Sequence, residues 1–172
     1  MIKIKTATVN DAELIADISR ETFYDTYAAY NTKADMDKFL SEQFTKEQLI
    51  AQVHDPENLF LLAYENNEPA GYVFLKAGSP PELTAVNALE IKRFYACTSF
   101  IGKGVGKTLM QASINHAKKE NKESVWLIVW KQNFRAIQFY ESFGFTKVGE
   151  QEFILGNDVQ NDWVMQLLIA NY

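Results

Sequence analysis

Three glycines at alternate positions, Gly102, Gly104 and Gly106, sit in Phe100-Ile101-Gly102-Lys103-Gly104-Val105-Gly106-Lys107-Thr108-Leu109 and lead straight into a helical pattern. Glycine has no Cβ, so the backbone can turn sharply there and come close to a ligand. Free N–H groups at a helix N-terminus, backed by the helix dipole, favour an anion such as phosphate. The chemistry expected of Ile101–Lys107 is therefore the cradling of a phosphate-bearing molecule. Lys103 and Lys107 either add charge to it or are plain surface lysines.

Register separates three kinds of phosphate loop. A Walker A loop needs a glycine where Ile101 stands, and the later strand Ser124–Trp130 ends in Lys131-Gln132-Asn133 with no aspartate for magnesium. A magnesium-dependent nucleotidase is thus disfavoured. A dinucleotide fingerprint needs a glycine at Lys107. The third pattern, x-x-x-G-x-G opening a helix around a pyrophosphate, fits Gly104-Val105-Gly106. Taken alone, it competes with an ordinary glycine-rich turn.

The elements that must hold this loop follow from periodicity. Ile2–Thr6 alternates as a strand. Asn10 is expected to cap a helix from Asp11 with Leu14, Ile15, Ile18 and Thr22 on its inner face. Helices are expected at Lys33–Phe44 and at Lys46–Val53, the second capped by Thr45. Asn58–Tyr64 and Gly71–Ala77 read as strands joined across Glu65–Pro69 by an Asn-Asn turn. Gly78-Ser79-Pro80-Pro81 opens a loop. Ala88–Ala96 reads as a strand, Gly104–Glu120 as a helix and Ser124–Trp130 as a buried strand. Arg135–Phe143 is a short helix stopped by Gly144, and Phe145–Glu152 and Asp162–Ile169 close the chain as strands. The order written from this is β-α-α-β-β-β-α-β-α-β-β. A helix between Ala88–Ala96 and Ser124–Trp130 implies a parallel crossover and the hairpins imply antiparallel pairs, so the class is α/β (α+β) with a mixed sheet.

Composition narrows the function classes. At 172 residues and 47% hydrophobic content, a single domain over 1–172 is expected. No apolar run approaches the roughly 20 residues of a membrane span, and Met1–Lys5 has no signal-peptide core. One cysteine, Cys97, fits a reducing cytoplasm. A net charge of −5, with no basic cluster beyond Lys118-Lys119, argues against nucleic acid and mildly favours cationic substrates. Two histidines and one cysteine, all far apart, support no metal site. His116 falls on the stripe of Val105, Leu109 and Ala112 and reads as a packed core histidine. His54 lies at a helix end, where it can meet the last carbonyls. Trp126 and Trp130 alternate along one strand and read as core.

With these elements placed, the chain resembles the GNAT (Gcn5-related N-acetyltransferase) superfamily. The likeness rests on the order of elements, on the phosphate loop Ile101–Gly106, and on Asn133-Phe134-Arg135-Ala136-Ile137-Gln138-Phe139-Tyr140-Glu141-Ser142-Phe143-Gly144-Phe145, which matches N-x-x-A-x-x-x-Y-x-x-x-G-F. Within it, the segments Glu21–Tyr27, Leu89–Tyr95 and Val125–Asn133 are similar to PaiA-type spermidine/spermine N-acetyltransferases. The resemblance implies a mostly antiparallel sheet flanked by helices and acetyl transfer from acetyl-CoA to a primary amine, plausibly a polyamine, by direct attack in a ternary complex. The family usually carries Gln or Arg at Ile101. Because backbone N–H groups hold the pyrophosphate, acetyl-CoA binding is expected to survive that departure.

The resemblance also assigns roles. Tyr140 takes the general-acid position, and on a helix it shares a face with Asn133 and Ala136. An alkylammonium must lose a proton before it attacks, and Glu90, six residues before Ala96, stands at the spacing of several relatives' catalytic glutamate. Strand alternation puts Glu90 on one face with Lys92, Phe94 and Ala96; the alternative is a strand glutamate paired with a neighbouring Lys or Arg. Phe94, Tyr95 and Ala96 are expected to offer coenzyme A free backbone N–H groups from a splayed strand. Tyr24, Asp25 and Tyr27, with Glu90 and, extending the acidic wall, Glu82, are the acceptor-side candidates, set against ordinary aromatic packing of the first helix. Cys97 has no histidine near it in sequence, and the family transfers acyl groups directly. Three other readings stay open: acetylation of a protein amine, acetylation of an antibiotic amine, and a non-catalytic acyl-CoA-binding sensor. Family members are often dimers, so a homodimer is expected, with no segment marking its interface.

Overall fold

Strand alternation and helical stripes sort the apolar residues onto two faces of one sheet. The computed structural model describes residues 1–80 and 87–172, so Glu82 and Pro81 lie outside the described residues. Seven strands run in the order β1-β2-β3-β4-β5-β7-β6, formed by β1 (Ile2–Thr6), β2 (Asn58–Glu65), β3 (Glu68–Ala77), β4 (Ala88–Ala96), β5 (Ser124–Trp130), β6 (Thr146–Leu155) and β7 (Asp158–Leu168). All neighbours are antiparallel except β4 and β5. The mixed sheet expected from the sequence is thus present. The β2–β3 turn is Asn66-Asn67, both at positive φ of 52° and 67°, the primed turn whose twist suits a two-residue hairpin.

Helices cover both faces. On one face α4 (Val105–Lys119) and α5 (Phe134–Ser142) bury Leu109, Met110, Ile114 and Ile137 against Val73, Leu75, Ile91 and Leu127. On the other lie α1 (Ala12–Tyr27), α2 (Lys33–Glu42) and α3 (Lys46–His54), so three helices precede β2 where the sequence order wrote two. α1 packs Ile15 and Ile18 over Phe60, Tyr72 and Phe74, and Phe23 stacks with Phe39 at 4.7 Å. α1 begins one residue later than expected, because Asp11 is used as a side-chain acceptor: its carboxylate takes the Thr8 N–H at 2.8 Å and closes a short 3₁₀ turn over Val9–Asp11. Thr45 caps α3 as expected, with Gln48 reaching back to its N–H at 2.9 Å. α2 is tied to the β6–β7 turn, where Asn157 N–H donates to Asp35 at 2.8 Å.

Candidate active site

The parallel pair sets the site. β4 and β5 pair only over Ala88–Ile91 and Ser124–Leu127. Beyond that, β4 runs on to Ala96 along β3, and β5 runs on to Trp130 along β7. The strands therefore part, and a cleft of about 450 Å³ fills the wedge between Ile91–Ala96 on one arm and Leu127–Val129 on the other. Parting leaves backbone groups without a ladder partner. The Cys97 N–H donates to the Ala70 carbonyl at 2.9 Å, which makes Tyr95/Tyr72 and Arg93/Phe74 the bonded pairs of the antiparallel register. The N–H groups of Phe94 and Ala96 consequently turn the other way, into the wedge.

The glycine loop forms one mouth of this cleft. Gly102 and Gly104 hold φ of 80° and 88°, left-handed values that a side chain would strain. Gly104 caps α4, and the first intrahelical donor is Thr108 N–H to the Gly104 carbonyl at 3.0 Å. The N–H groups of Val105, Gly106 and Lys107 therefore point out of the helix end. A Cβ added at Gly106 would stand 3.4 Å from the Phe139 ring, so bare backbone forms the wall there. Lys107 and Arg135 add positive charge at the same mouth. Free donors, close backbone and two cations fit a pyrophosphate whose slender arm runs into the wedge.

α5 supplies the inner end. Asn133 caps it by accepting the Ala136 N–H at 3.2 Å. Tyr140 lines the cleft with its ring edge-on to Phe94 at 6.1 Å and tilted on Phe145 at 5.8 Å. Burial, reinforced by Tyr27 nearby, holds its phenol pKa well above the ordinary value, so it keeps its proton at neutral pH. A protonated phenol beside a thioester can donate to the departing sulfur.

Of the residues marked from sequence for the cofactor, Phe94, Tyr95, Ala96, Ile101, Gly102, Gly104, Gly106, Lys107, Asn133, Ala136 and Tyr140 line this cleft. Val105 does not, since its side chain is 1% exposed in the core. Lys103 lies outside the lining, its ammonium 5.3 Å from the Phe100 ring centroid. Cys97 is half-buried, and burial raises its thiol pKa, the opposite of an activated nucleophile.

The acceptor side departs further from the sequence reading. The β3–β4 register slips at Lys92, so Glu90 pairs with Lys76 and Ile91 with Leu75, while Arg93 pairs with Phe74. One inserted residue reverses alternation. Glu90 therefore shares a sheet face with Arg93 and Tyr95 and not, as simple parity predicts, with Phe94 and Ala96. Its carboxylate contacts the Lys92 ammonium at 3.4 Å and does not line the cleft. Among the α1 candidates, Tyr27 lines the cleft. Asp25 instead accepts from the Thr98 hydroxyl at 2.7 Å, and Tyr24 is half-exposed away from the cleft.

Sequence reasoning passed over Arg135 and Phe139, which line the cleft, and the buried Asp162. Arg135 and Phe139 lie inside the quoted α5 motif and share a face with each other, four residues apart, but not with Tyr140, so the face through Asn133, Ala136 and Tyr140 passes them by. Asp162 gives only a weak signal, an acid opening an apolar strand. In the fold it is 6% exposed and pairs in register with Trp130 on β5 and Gln151 on β6. Trp130 meets Tyr27 edge-on at 6.0 Å and Tyr30 at 5.0 Å, so it packs against the aromatic end of α1 instead of lying deep in the core as its alternation with Trp126 suggested. Burial lifts the Asp162 carboxyl pKa to about 6 against the pull of Lys131.

Known proteins match this arrangement. The sequence profile of the Acetyltransferase (GNAT) family matches residues 17–145. An uncharacterised N-acetyltransferase of Lactobacillus delbrueckii subsp. lactis is 34% identical over 166 residues, 96% of each chain. The spermidine N(1)-acetyltransferase of Thermoplasma acidophilum is 26% identical over 84% of this chain and 88% of its own length. The crystal structure of a PaiA N-acetyltransferase from Thermoplasma acidophilum in complex with coenzyme A superposes with a TM-score of 0.78 at 24% identity, over 98% of this chain and 99% of that one.

Proposed function

The chain belongs to the acetyltransferase (GNAT) family, and on that premise we propose that it moves an acetyl group from acetyl-CoA to a primary amine, with a polyamine as the favoured acceptor. One observation carries the reading: the wedge between β4 and β5 runs from the glycine-rich mouth of α4 to the Tyr140 phenol. The helix end, with Lys107 and Arg135, holds the pyrophosphate of acetyl-CoA. The N–H groups of Phe94 and Ala96 hydrogen-bond the pantetheine arm and polarise the thioester carbonyl. The free amine attacks that carbonyl directly, and Tyr140 gives its proton to the coenzyme A sulfur as the C–S bond breaks.

A cationic acceptor is supported by the chemistry of the opposite wall. Tyr27 lines the cleft with Trp130 packed edge-on against it and Tyr30 beyond, and the carboxylates of Glu90 and Asp162, outside the lining, sit on the same sheet face as Trp130. That combination suits alkylammonium groups through charge and cation–π contact. The relatives that act on spermidine and spermine agree with this choice. Coenzyme A thiol release with spermidine, spermine and unrelated amines tests it. Turnover on polyamines that falls about 100-fold in Tyr140→Phe, with acetyl-CoA affinity retained, is the expected result. Coenzyme A binding without turnover on any amine would turn the reading to a sensor.

A further inference from the structure

Two buried acceptor oxygens on the sheet face of Trp130 have no hydrogen-bond partner among the described residues. These are Asp162 Oδ1 and Gln151 Oε1, both sealed from solvent. They belong to directly opposed residues of β7 and β6, so both side chains stand on one sheet face. That face is the one carrying Trp130, which abuts Tyr27, and Tyr27 lines the cleft. The Tyr27 phenol lies within the field of Asp162 and close to the Tyr95 phenol on the splayed arm of β4. A buried acceptor left unpaired costs free energy, and such orphans concentrate where a ligand completes the bonding. The Gln151 amide can turn one N–H towards the carboxylate, yet the two side chains together offer more acceptor lone pairs than N–H donors, which suits a ligand rich in N–H groups. A primary ammonium has three.

We propose that Asp162 and Gln151 form the seat of the acceptor's amino group, and that Asp162, rather than Glu90, takes its proton. This rests on the amine-acetyltransferase reading above and adds the residue that readies the nucleophile. The balance is simple. R–NH₃⁺ gives one proton to the Asp162 carboxylate, leaving R–NH₂ and a neutral acid. The nitrogen lone pair forms the N–C bond, the C–S bond breaks, and sulfur takes the phenol proton of Tyr140. The second nitrogen proton then returns to the Tyr140 phenolate, and Asp162 releases its proton to water. Gln151 stays neutral and orients the ammonium. A base titrating close to neutrality suits this task, and burial puts Asp162 there. The charged and titratable groups facing it are Lys131 after β5, Tyr27 on α1 and, through Tyr27, Tyr95 on β4.

The test compares Asp162→Asn, Asp162→Glu, Gln151→Met and Glu90→Gln with the parent. Calorimetry measures acetyl-CoA binding, and thiol release measures kcat/KM for spermidine between pH 5 and 9. Asp162→Asn is expected to bind acetyl-CoA within about twofold of the parent while kcat/KM falls about 100-fold and the acidic limb near pH 6 disappears. Asp162→Glu should restore part of the rate and the limb, and Gln151→Met should raise KM more than it lowers kcat. Glu90→Gln should keep the acidic limb, with any loss of charge near the acceptor appearing in KM alone. A parent that turns over spermidine beside an equally fast Asp162→Asn with an unchanged profile overturns this proposal alone. A parent inactive on every amine overturns the underlying reading. If both Asp162 variants lose acetyl-CoA binding, unchanged spermidine kinetics in Gln151→Met overturns the seat.

Discussion

At the scale of single residues, Asp162 holds a position that folding by itself does not favour. Its carboxyl has an ordinary pKa of 3.8 and a folded value of about 6, with burial as the larger cause and Lys131 opposing it. A raised value means that the native state prefers the neutral acid. Its stabilising contribution is complete below the unfolded pKa and is lost as pH climbs through the folded one. Asp162→Asn carries no such loss, and its amide can donate to Gln151. The variant is therefore expected to gain about 1 kcal/mol over the parent on going from pH 5 to pH 8, after discounting for water reaching the carboxylate. Urea unfolding at the two pH values measures this, and a gap that does not widen with pH refutes it. Glycine spacing made the loop end of the cleft legible in the sequence because it follows from local backbone geometry, and the Asn133–Tyr140 pattern was legible through the family resemblance. Asp162 was not legible: its burial and missing partner come from β5 and β6, which no window around it contains.

At the scale of elements, the end of α4 binds through what it lacks. Gly106 leaves the backbone open beside the ring of Phe139, and an added Cβ would meet that ring at 3.4 Å. Gly106→Val places two methyl groups between the helix N–H donors and any pyrophosphate. A valine in a helix costs only about 0.5 kcal/mol of propensity relative to alanine, less than the roughly 1 kcal/mol of the glycine it replaces. Binding should therefore suffer far more than folding. Acetyl-CoA affinity is expected to drop at least about tenfold in calorimetry while the melting temperature moves only a few degrees; equal affinity would remove the pyrophosphate from this helix end. Element types and most boundaries were readable, as with the Asn66-Asn67 turn and the Thr45 cap, since each uses residues within four positions. The bulge at Lys92 was not. It follows from how β4 registers on β3, and one inserted residue was enough to send Glu90 to the opposite face.

At the scale of the whole molecule, the sheet is two blocks joined by a short seam. β1 to β4 form one block and β5, β7 and β6 the other, and the seam between them pairs only Ala88–Ile91 with Ser124–Leu127. The splay could not be read from either strand, because neither the apolar run of β5 nor the mixed pattern of β4, with Glu90, Lys92 and Arg93, marks where pairing stops. A ligand lying in the wedge bridges the blocks as a surrogate strand, and the register fixes which amides it can reach. On β4 these are Phe94 and Ala96, while Arg93 and Tyr95 are already bonded to β3. Coenzyme A should accordingly slow amide exchange in alternation, strongly at Phe94 and Ala96 and at Gly106 and Lys107, and weakly at Arg93 and Tyr95. At 100 times its dissociation constant it should also stabilise the fold by about 2.7 kcal/mol if it binds only the native state. Residue-resolved hydrogen exchange by NMR, with and without coenzyme A, checks the pattern. Even protection along β4 would mean that the wedge closes onto β5 when ligand binds, and protection confined to Arg93 and Tyr95 would mean that the ligand lies elsewhere.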